Sequence, residues 1–267
     1  MILSIHQVML RMTSTELQQF WLKVPAITGL FWITKIFATT FGETGGDALS
    51  MSLNLGYLVS TFIFATIFIV LLFFQIQAKS YKPYLYWATI IASTTVGTTL
   101  ADFVDRSLGI GYLGGSLILI SLVLISLFSW YKFEGTIDPY AVQQPRTEVF
   151  YWLTITFSQT LGTALGDWAS DSAGLGYTGG MVLFLSLIAL MALLYYFTSV
   201  SRTILFWSTF VLTRPLGAVV GDFLDKPISS GGLDLSRFAA SLVLLIAILI
   251  CIYWSNRRTP ATSKVAH

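Results

Sequence analysis

The stretch that decides the fold is WLTITFSQTLGTALGD, residues Trp152 to Asp167. It contains a frame of a tryptophan, a threonine two residues later, a glycine ten residues after the tryptophan, and an aspartate five residues after the glycine: Trp152, Thr154, Gly162 and Asp167. The frame occurs three more times with identical spacing: Trp32, Thr34, Gly42 and Asp47; Trp87, Thr89, Gly97 and Asp102; Trp207, Thr209, Gly217 and Asp222. Self-similarity at a nearly fixed period indicates tandem structural repeats, here four repeats of roughly 55 to 65 residues.

The composition is typical of a polytopic membrane protein. The chain is 55% hydrophobic and 10% charged, with a mean hydropathy of +0.76, whereas soluble domains carry about 25% charged residues. Apolar runs of about 20 residues, long enough to cross a bilayer as a helix, recur along the chain. The expected partners are therefore the lipid bilayer and a small cation or solute, with no nucleic acid. A homo-oligomer is compatible with the sequence.

Each repeat supplies two predicted transmembrane helices, the first containing the frame and the second more aliphatic. The fold class is predicted to be all-α, with eight transmembrane helices in four two-helix repeats. Because each repeat has an even number of spans, the four repeats are parallel and not inverted. The first helices are predicted at 25–49, 83–105, 148–171 and 203–225, and the second helices at 55–77, 112–132, 177–198 and 233–254.

The distribution of lysine and arginine predicts the orientation. Ten of the 15 basic residues lie on the side that holds both termini, and three lie in the hairpin loops on the other side: Arg106, Lys226 and Arg237. The positive-inside rule then predicts a bacterial inner-membrane protein with both termini in the cytoplasm. The predicted organisation is a cytoplasmic segment at 1–24, repeats at 25–78 and 79–133, a cytoplasmic linker at 134–147, repeats at 148–200 and 201–254, and a basic cytoplasmic tail at 255–267. The frame tryptophans are predicted to form an aromatic belt at the cytoplasmic interface.

A polar stripe follows one face of each first helix. Positions 7, 11 and 15 residues after the frame tryptophan share a helical face, and eleven of these twelve positions are polar. Lipid does not satisfy polar groups, so the stripe must face protein or water. The first helices are therefore predicted to form a polar inner group, with the aliphatic second helices outside. The stripe residues are Thr39, Glu43 and Asp47; Thr94, Thr98 and Asp102; Gln159, Thr163 and Asp167; Arg214, Ala218 and Asp222.

Acidic residues concentrate at the C-terminal ends of these helices, where the helix dipole already places partial negative charge. Such an arrangement becomes favourable if a cation or protons bind among the carboxylates. The candidate binding residues are Asp47, Asp102, Asp167, Asp222, Glu43, Thr98, Thr163, Asp105, Asp171 and Asp225, and the candidate charge partners are Lys35 and Arg214. The first four aspartates form the hypothetical metal site. The structural alternatives are aspartates that cap the following loops and ion pairs that fix helix register.

On these residues the chain resembles a bacterial family of uncharacterised membrane-anchored proteins with a four-fold tandem repeat of unknown function. The resemblance covers Trp21 to about Trp254 and includes all four tryptophan frames. It implies two transmembrane segments per repeat and does not imply an activity. Repeat 4 departs from the pattern, because Arg214 and Pro215 replace a pair of threonines.

The function expected from the residues is ion-gradient-driven transport of a hard cation such as Mn²⁺, Mg²⁺ or Ca²⁺, because carboxylates and hydroxyls without thiol or imidazole suit such ions. One alternative is proton-coupled transport of a small organic or anionic solute bound by Lys35 and Arg214. The other is a membrane assembly or sensor protein whose stripe only packs the bundle. No enzyme and no cofactor are expected, because the two histidines, His6 and His267, lie in the tails and no P-loop occurs.

Overall fold

The structure is a computed structural model, and it describes residues 23–258. The predicted N-terminal segment, apart from its last two residues, and most of the basic tail lie outside the described residues. Within 23–258 the chain is all-helical, with eight α-helices: α1 Gly29–Asp47, α2 Gly56–Gln77, α3 Pro83–Asp102, α4 Gly111–Glu134, α5 Pro145–Asp167, α6 Gly176–Phe197, α7 Arg202–Asp225 and α8 Arg237–Arg258.

Local signals explain several helix ends. The Thr28 side chain accepts a hydrogen bond from the Phe31 amide and caps α1, while Pro83 and Pro145 occupy the first positions of α3 and α5, where a missing N–H costs nothing. In repeats 1 to 3 the α-helix ends at the frame aspartate and a five-residue π-helical turn follows: Ala48–Ser52, Phe103–Ser107 and Trp168–Ser172. The predicted spans ended inside these turns, at residues 49, 105 and 171. In repeat 4, α7 continues through Asp222 to Asp225.

The helices form two concentric layers. α1, α3, α5 and α7 form a closed ring, in which α1 packs against both α3 and α7, and α5 packs against the same two helices. Each second helix packs mainly on the first helix of the following repeat: α2 on α3, α4 on α5, α6 on α7 and α8 on α1. The last repeat therefore contacts the first, and the four repeats surround a pseudo-four-fold axis in a single chain.

The two layers differ in burial and polarity. All twelve stripe positions are buried, although most are polar. Apolar side chains on the outer helices, such as Phe62, Leu117, Val182 and Val243, are more than half exposed. Between residues 23 and 258, five helices are long and apolar enough to cross a membrane: α2, α4, α6, α7 and α8. These apolar helices indicate a multi-pass membrane protein.

The frame glycines set the register of the ring. Each one lies against the residue that occupies position 7 of the next inner helix: Gly42 on Thr94, Gly97 on Gln159, Gly162 on Arg214, and Gly217 on Thr39. A side chain at Gly97 would place its Cβ 2.9 Å from backbone atoms of α5, so this contact requires glycine. Because the same two frame positions meet at every step, the inner helices run parallel with the same axial shift between neighbours.

Candidate functional site

Arg214 lies at the centre of the inner ring and contacts the other three inner helices. Its guanidinium donates to Glu43 Oε2 on α1 at 3.0 Å, and it also donates to the hydroxyls of Thr98 on α3 and Thr163 on α5. Arg214 is 0% exposed and Glu43 is 3% exposed. Four of the residues predicted from the sequence, Glu43, Thr98, Thr163 and Arg214, are thus joined by direct contacts into one buried cluster.

The space for this arginine comes from a missing side chain. Gly162 lies directly against the Cβ and Cγ of Arg214, so any side chain at that glycine would collide with the arginine stem. The glycine therefore has two consequences. It permits the close approach of α5 and α7, and it directs the guanidinium toward the axis, where Glu43 compensates its charge.

Beyond this cluster, the four frame aspartates form a layer that two basic side chains divide into pairs. Arg106 Nε lies 2.9 Å from Asp102 Oδ1, and Arg106 Nη2 lies 3.2 Å from Asp167 Oδ2. On the opposite side, Lys226 Nζ lies 2.6 Å from Asp47 Oδ2 and 3.1 Å from Asp222 Oδ1. Each basic group thus bridges the aspartate of its own repeat and the aspartate of a neighbouring inner helix. We call these four aspartates the aspartate layer.

None of the frame aspartates in repeats 1 to 3 caps the turn that follows it, because their side chains make no capping hydrogen bond. Their partners are basic side chains. Loop capping, one of the structural alternatives, therefore does not account for Asp47, Asp102 and Asp167.

The outermost candidate aspartates differ from one another. Asp225 pairs with Arg237 Nε at 2.7 Å. Asp105, which occupies the same frame position in repeat 2, is 5% exposed, and neither of its side-chain oxygens has a hydrogen-bond partner. Asp171 is exposed and accepts only a long contact of 3.4 Å from the Tyr112 hydroxyl. Asp171 therefore lies outside the buried group.

Negative charge exceeds positive charge in the buried part of this site. Seven buried carboxylates belong to it, and four basic side chains pair with them, which leaves a formal excess of three negative charges: Glu43, Asp47, Asp102, Asp105, Asp167, Asp222 and Asp225 against Arg106, Arg214, Lys226 and Arg237. Buried uncompensated charge is costly. Bound protons or cations would remove that cost.

Two subsets of these carboxylates are close enough to share a metal ion. Glu43, Asp47 and Asp102 each offer one oxygen within 4.8 Å of the others, and Asp47, Asp222 and Asp225 do the same. Asp47 belongs to both subsets. The four frame aspartates predicted as the metal site do not appear together as one such subset among the described residues, because Arg106 and Lys226 separate them into pairs.

Lys226 lies in the loop after α7, and its environment favours the charged form. Burial alone would disfavour the ammonium, but the nearby carboxylates of Asp222 and Asp47 outweigh burial and raise the pKa of Lys226 above its usual value. A positively charged Lys226 is therefore the resident cation of the Asp47–Asp222 pair at neutral pH.

Lys35 forms a separate polar contact deeper in the bundle. It is 0% exposed, its Nζ donates to Gln159 Oε1 at 3.2 Å, and it lies 4.1 Å from the centre of the Phe210 ring. No carboxylate lies within ion-pair distance of Lys35 in residues 23–258. The Gln159 amide nitrogen also has no hydrogen-bond partner there.

At the other end, an aromatic cluster closes the axis. Four aromatic residues precede the frame tryptophans and converge on one small space that Pro139 of the linker also lines: Phe31, Tyr86, Tyr151 and Phe206. The linker is held over them by two hydrogen bonds, from Trp207 Nε1 to the Ile137 carbonyl at 2.8 Å and from the Ile27 amide to the Tyr140 hydroxyl at 2.9 Å. We call these four residues with the frame tryptophans the aromatic end.

The predicted aromatic belt is wrong for three of the four frame tryptophans. Trp87, Trp152 and Trp207 are each less than 5% exposed and pack inside the bundle, whereas a belt residue faces the lipid headgroups. Only Trp32 is partly exposed. Each frame tryptophan follows another aromatic residue, and these aromatic side chains pack against one another at this end of the four-helix ring. This packing explains why three of the tryptophans are buried.

Sequence reasoning missed the partners of the aspartate layer. Arg106, Lys226 and Arg237 were counted only as loop charges. The signal lay nineteen residues after each frame tryptophan, where the four repeats carry Met51, Arg106, Asp171 and Lys226. Basic residues occupy this position in alternate repeats, which are opposite each other in the ring.

Comparison with protein families supports the repeat. Four consecutive segments, residues 30–81, 85–136, 150–201 and 205–259, match the family described as Repeat of Unknown Function (DUF347). The chain belongs to this family. The matched segments coincide with the four frames, so the DUF347 repeat corresponds to one inner and one outer helix. Comparisons with curated proteins and with solved structures found no match.

Proposed function

We propose that this DUF347 protein is an ion-gradient-driven transporter of a hard cation of the Mn²⁺, Mg²⁺ or Ca²⁺ kind. In this proposal it lies in the bacterial inner membrane, with eight transmembrane helices and both termini in the cytoplasm. The supporting observation is the excess of three buried negative charges among the seven carboxylates of the site. In a stripe with a purely structural role, buried carboxylates without partners would only destabilise the fold.

The ligand chemistry favours hard cations. The side chains that meet at the site offer carboxylate and hydroxyl oxygens, such as those of Asp47, Asp102 and Thr98, and hard divalent ions prefer oxygen ligands. Two groups of three carboxylates already have the spacing that one ion needs. Arg214 fixes the inner boundary of the site, because its charge opposes the passage of a cation toward Lys35 unless the Glu43 pair rearranges.

One observation favours the alternative of a small anionic or organic solute coupled to protons. Lys35 is fully buried without a carboxylate partner in the described residues, and an anion would compensate its charge. In that case Lys35 and Arg214 would hold the solute, and the aspartates would carry protons. Replacement of Lys35 by methionine distinguishes the two functions, since it would abolish solute transport and leave cation binding at the aspartate layer in place.

The test is transport into liposomes that contain the purified protein and a metal-sensitive dye, with Mn²⁺, Mg²⁺ and Ca²⁺ supplied outside in turn. The informative variant is Asp47→Asn/Asp222→Asn/Lys226→Met, which removes two carboxylates of the candidate ion groups together with the lysine that pairs with them and so avoids leaving Lys226 unpaired. We expect wild-type protein to admit one of the ions and the triple variant to lose that transport. The control is Asp171→Asn, because Asp171 is exposed and should be dispensable.

Two outcomes contradict cation transport. One is a triple variant that keeps its fold and still transports the ion at the wild-type rate. The other is wild-type protein that transports none of the ions under either an imposed pH gradient or an imposed membrane potential.

A further inference from the structure

The two basic residues of the aspartate layer are chemically different, although they occupy the same frame position. Arg106 contacts Asp102 and Asp167 through two separate nitrogens, Nε and Nη2. Lys226 reaches Asp47 and Asp222 with a single nitrogen at 2.6 and 3.1 Å. A guanidinium is a planar group with fixed donors, whereas an ammonium on a four-carbon stem is a compact point charge that rotates and withdraws easily.

The carboxylates around Lys226 also form a more complete cation site than those around Arg106. Asp47, Asp222 and Asp225 bring three oxygens within 4.8 Å of one another, and Lys226 Nζ bonds two of the three residues. Asp47 Oδ1 and Asp225 Oδ1 are buried and have no hydrogen-bond partner among the described residues. The group is therefore held by Lys226 and by Arg237, which lies 2.7 Å from Asp225 Oδ2 and 3.9 Å from Asp47 Oδ2, and it still has unused acceptor oxygens.

Repeat 1 shows which side chain occupies the frame position of Lys226 without a charge. Met51 takes the place of Lys226 in repeat 1, and its sulfur lies 4.0 Å from Lys226 Nζ. An uncharged, unbranched side chain of similar length is thus already accommodated at this frame position, one helix away.

We infer that Lys226 is a tethered, exchangeable counter-ion that occupies the position of the transported cation between Asp47, Asp222 and Asp225, and that a divalent cation binds there by displacing it. Arg106 is then the fixed clamp that holds the opposite aspartate pair together. This role of Lys226 rests on the proposed cation transport. It makes Lys226 the residue that limits cation affinity and returns the site to an occupied state after the ion leaves.

The consequence is an affinity that rises when Lys226 is removed. Replacement of the ammonium by a neutral side chain removes its repulsion of the incoming ion and leaves Arg237 as the remaining basic neighbour of Asp225 and Asp47. Because a unit charge beside the ion opposes its binding strongly in a partly buried site, the dissociation constant for a divalent ion should fall by about tenfold or more.

The experiment is a calorimetric titration of the detergent-purified protein with MnCl₂ and with CaCl₂ for wild type, Lys226→Met, Lys226→Arg and Arg106→Met. We expect Lys226→Met to bind one of these ions at least about ten times more tightly than wild type, and Lys226→Arg to bind it no better than wild type. Arg106→Met should lose thermal stability without a comparable gain in affinity. The triple variant Lys226→Met/Asp47→Asn/Asp222→Asn should lose the gain.

A folded Lys226→Met protein that binds both ions no better than wild type overturns the displacement role. If Lys226→Met does not fold, Lys226→Gln replaces it, because glutamine keeps a hydrogen-bond donor for the aspartates and still lacks the charge. Equal gains in Lys226→Met and Arg106→Met also contradict the distinction between exchangeable and fixed cations.

Transport separates this inference from the proposed function. If Lys226→Met gains metal affinity but the wild-type protein transports no ion, the proposed metal site stands and the proposed transport function is refuted. If the wild-type protein transports the ion and neither Lys226→Met nor Lys226→Arg changes that transport, the transport function stands and the proposed role of Lys226 is refuted.

Discussion

The two ends of the inner ring close the same axis by opposite means. At the aromatic end, Phe31, Tyr86, Tyr151 and Phe206 meet beneath the linker, so packed aromatic side chains make the closure. At the other end, the aspartate layer and its basic partners close the axis with ion pairs such as Lys226 with Asp47. The first closure depends on packing. The second depends on charge balance, which a cation or a proton alters directly.

The central Arg214–Glu43 pair lies between the two ends and should be the most sensitive point. Replacement of Arg214 by methionine leaves Glu43 buried without its cation and removes the bonds to Thr98 and Thr163. Loss of one partner of a buried pair costs about 3 to 5 kcal/mol of unfolding free energy. Chemical unfolding of the detergent-solubilised protein measures this loss.

The matched control is Arg214→Met/Glu43→Gln, which removes both charges. We expect it to regain much of the lost stability, because no uncompensated charge remains. If the double variant is as unstable as Arg214→Met, the hydrogen bonds to the two threonines carry the stability and the ion pair does not.

The helix contacts of the ring should give the next largest effect. In Gly97→Ala the new Cβ would lie 2.9 Å from backbone atoms of Gln159 and Thr160, and backbone atoms cannot move aside cheaply, so we expect a loss of about 1 to 3 kcal/mol. The control is Gly45→Ala on α1, where the Cβ meets the Phe41 ring at an ordinary 3.4 Å. There the higher helix propensity of alanine should stabilise the protein by up to about 1 kcal/mol.

A thermal melt of both glycine variants checks this contrast. A Gly97→Ala protein as stable as Gly45→Ala would mean that α3 and α5 are farther apart than the register of the ring requires.

The aromatic end should give an effect no larger than that of the ring contacts. The Tyr86 and Tyr151 hydroxyls lie 2.6 Å apart and both residues are buried, so Tyr86→Phe removes one hydrogen bond and leaves one hydroxyl unsatisfied. We expect a loss of about 1 to 3 kcal/mol, with metal affinity at the aspartate layer unchanged. Tyr86→Phe/Tyr151→Phe should be more stable than the single variant. A change in metal affinity in either variant would show that the two ends are coupled.

The repeat and the two layers were predictable because they depend on regular spacing. Four frames with identical offsets predict equivalent helices, and a polar face in an apolar helix predicts an inner position for residues such as Thr98 and Gln159. The ring closure was not predictable, because a parallel four-fold repeat is compatible with either a closed ring or two packed halves. The contacts of Gly217 with Thr39, which join the last repeat to the first, are a property of the folded chain.

The candidate site was predicted at the level of its acidic residues and not at the level of its pairing. Glu43 was predicted as a binding residue and Lys35 and Arg214 as charge partners; the structure joins Glu43 to Arg214 and places Lys35 against Gln159. Arg106 and Lys226 were assigned to loops, because a loop residue next to a helix end has the same sequence signature whether it points to solvent or back toward the axis. Asp171 shows the converse, since an aspartate one position away from the Asp105 and Asp225 frame position is exposed.

The bond between Arg214 and Glu43 spans 171 residues, and this separation orders events during synthesis. Glu43 emerges from the ribosome with α1, but its cation follows only after three further helix pairs have begun. In the described chain α1 also receives its outer neighbour, α8, last of all. The first helix of the ring therefore lacks two of its final neighbours, α7 and α8, until the end of synthesis, and a chain truncated before Arg214 leaves Glu43 without its basic partner.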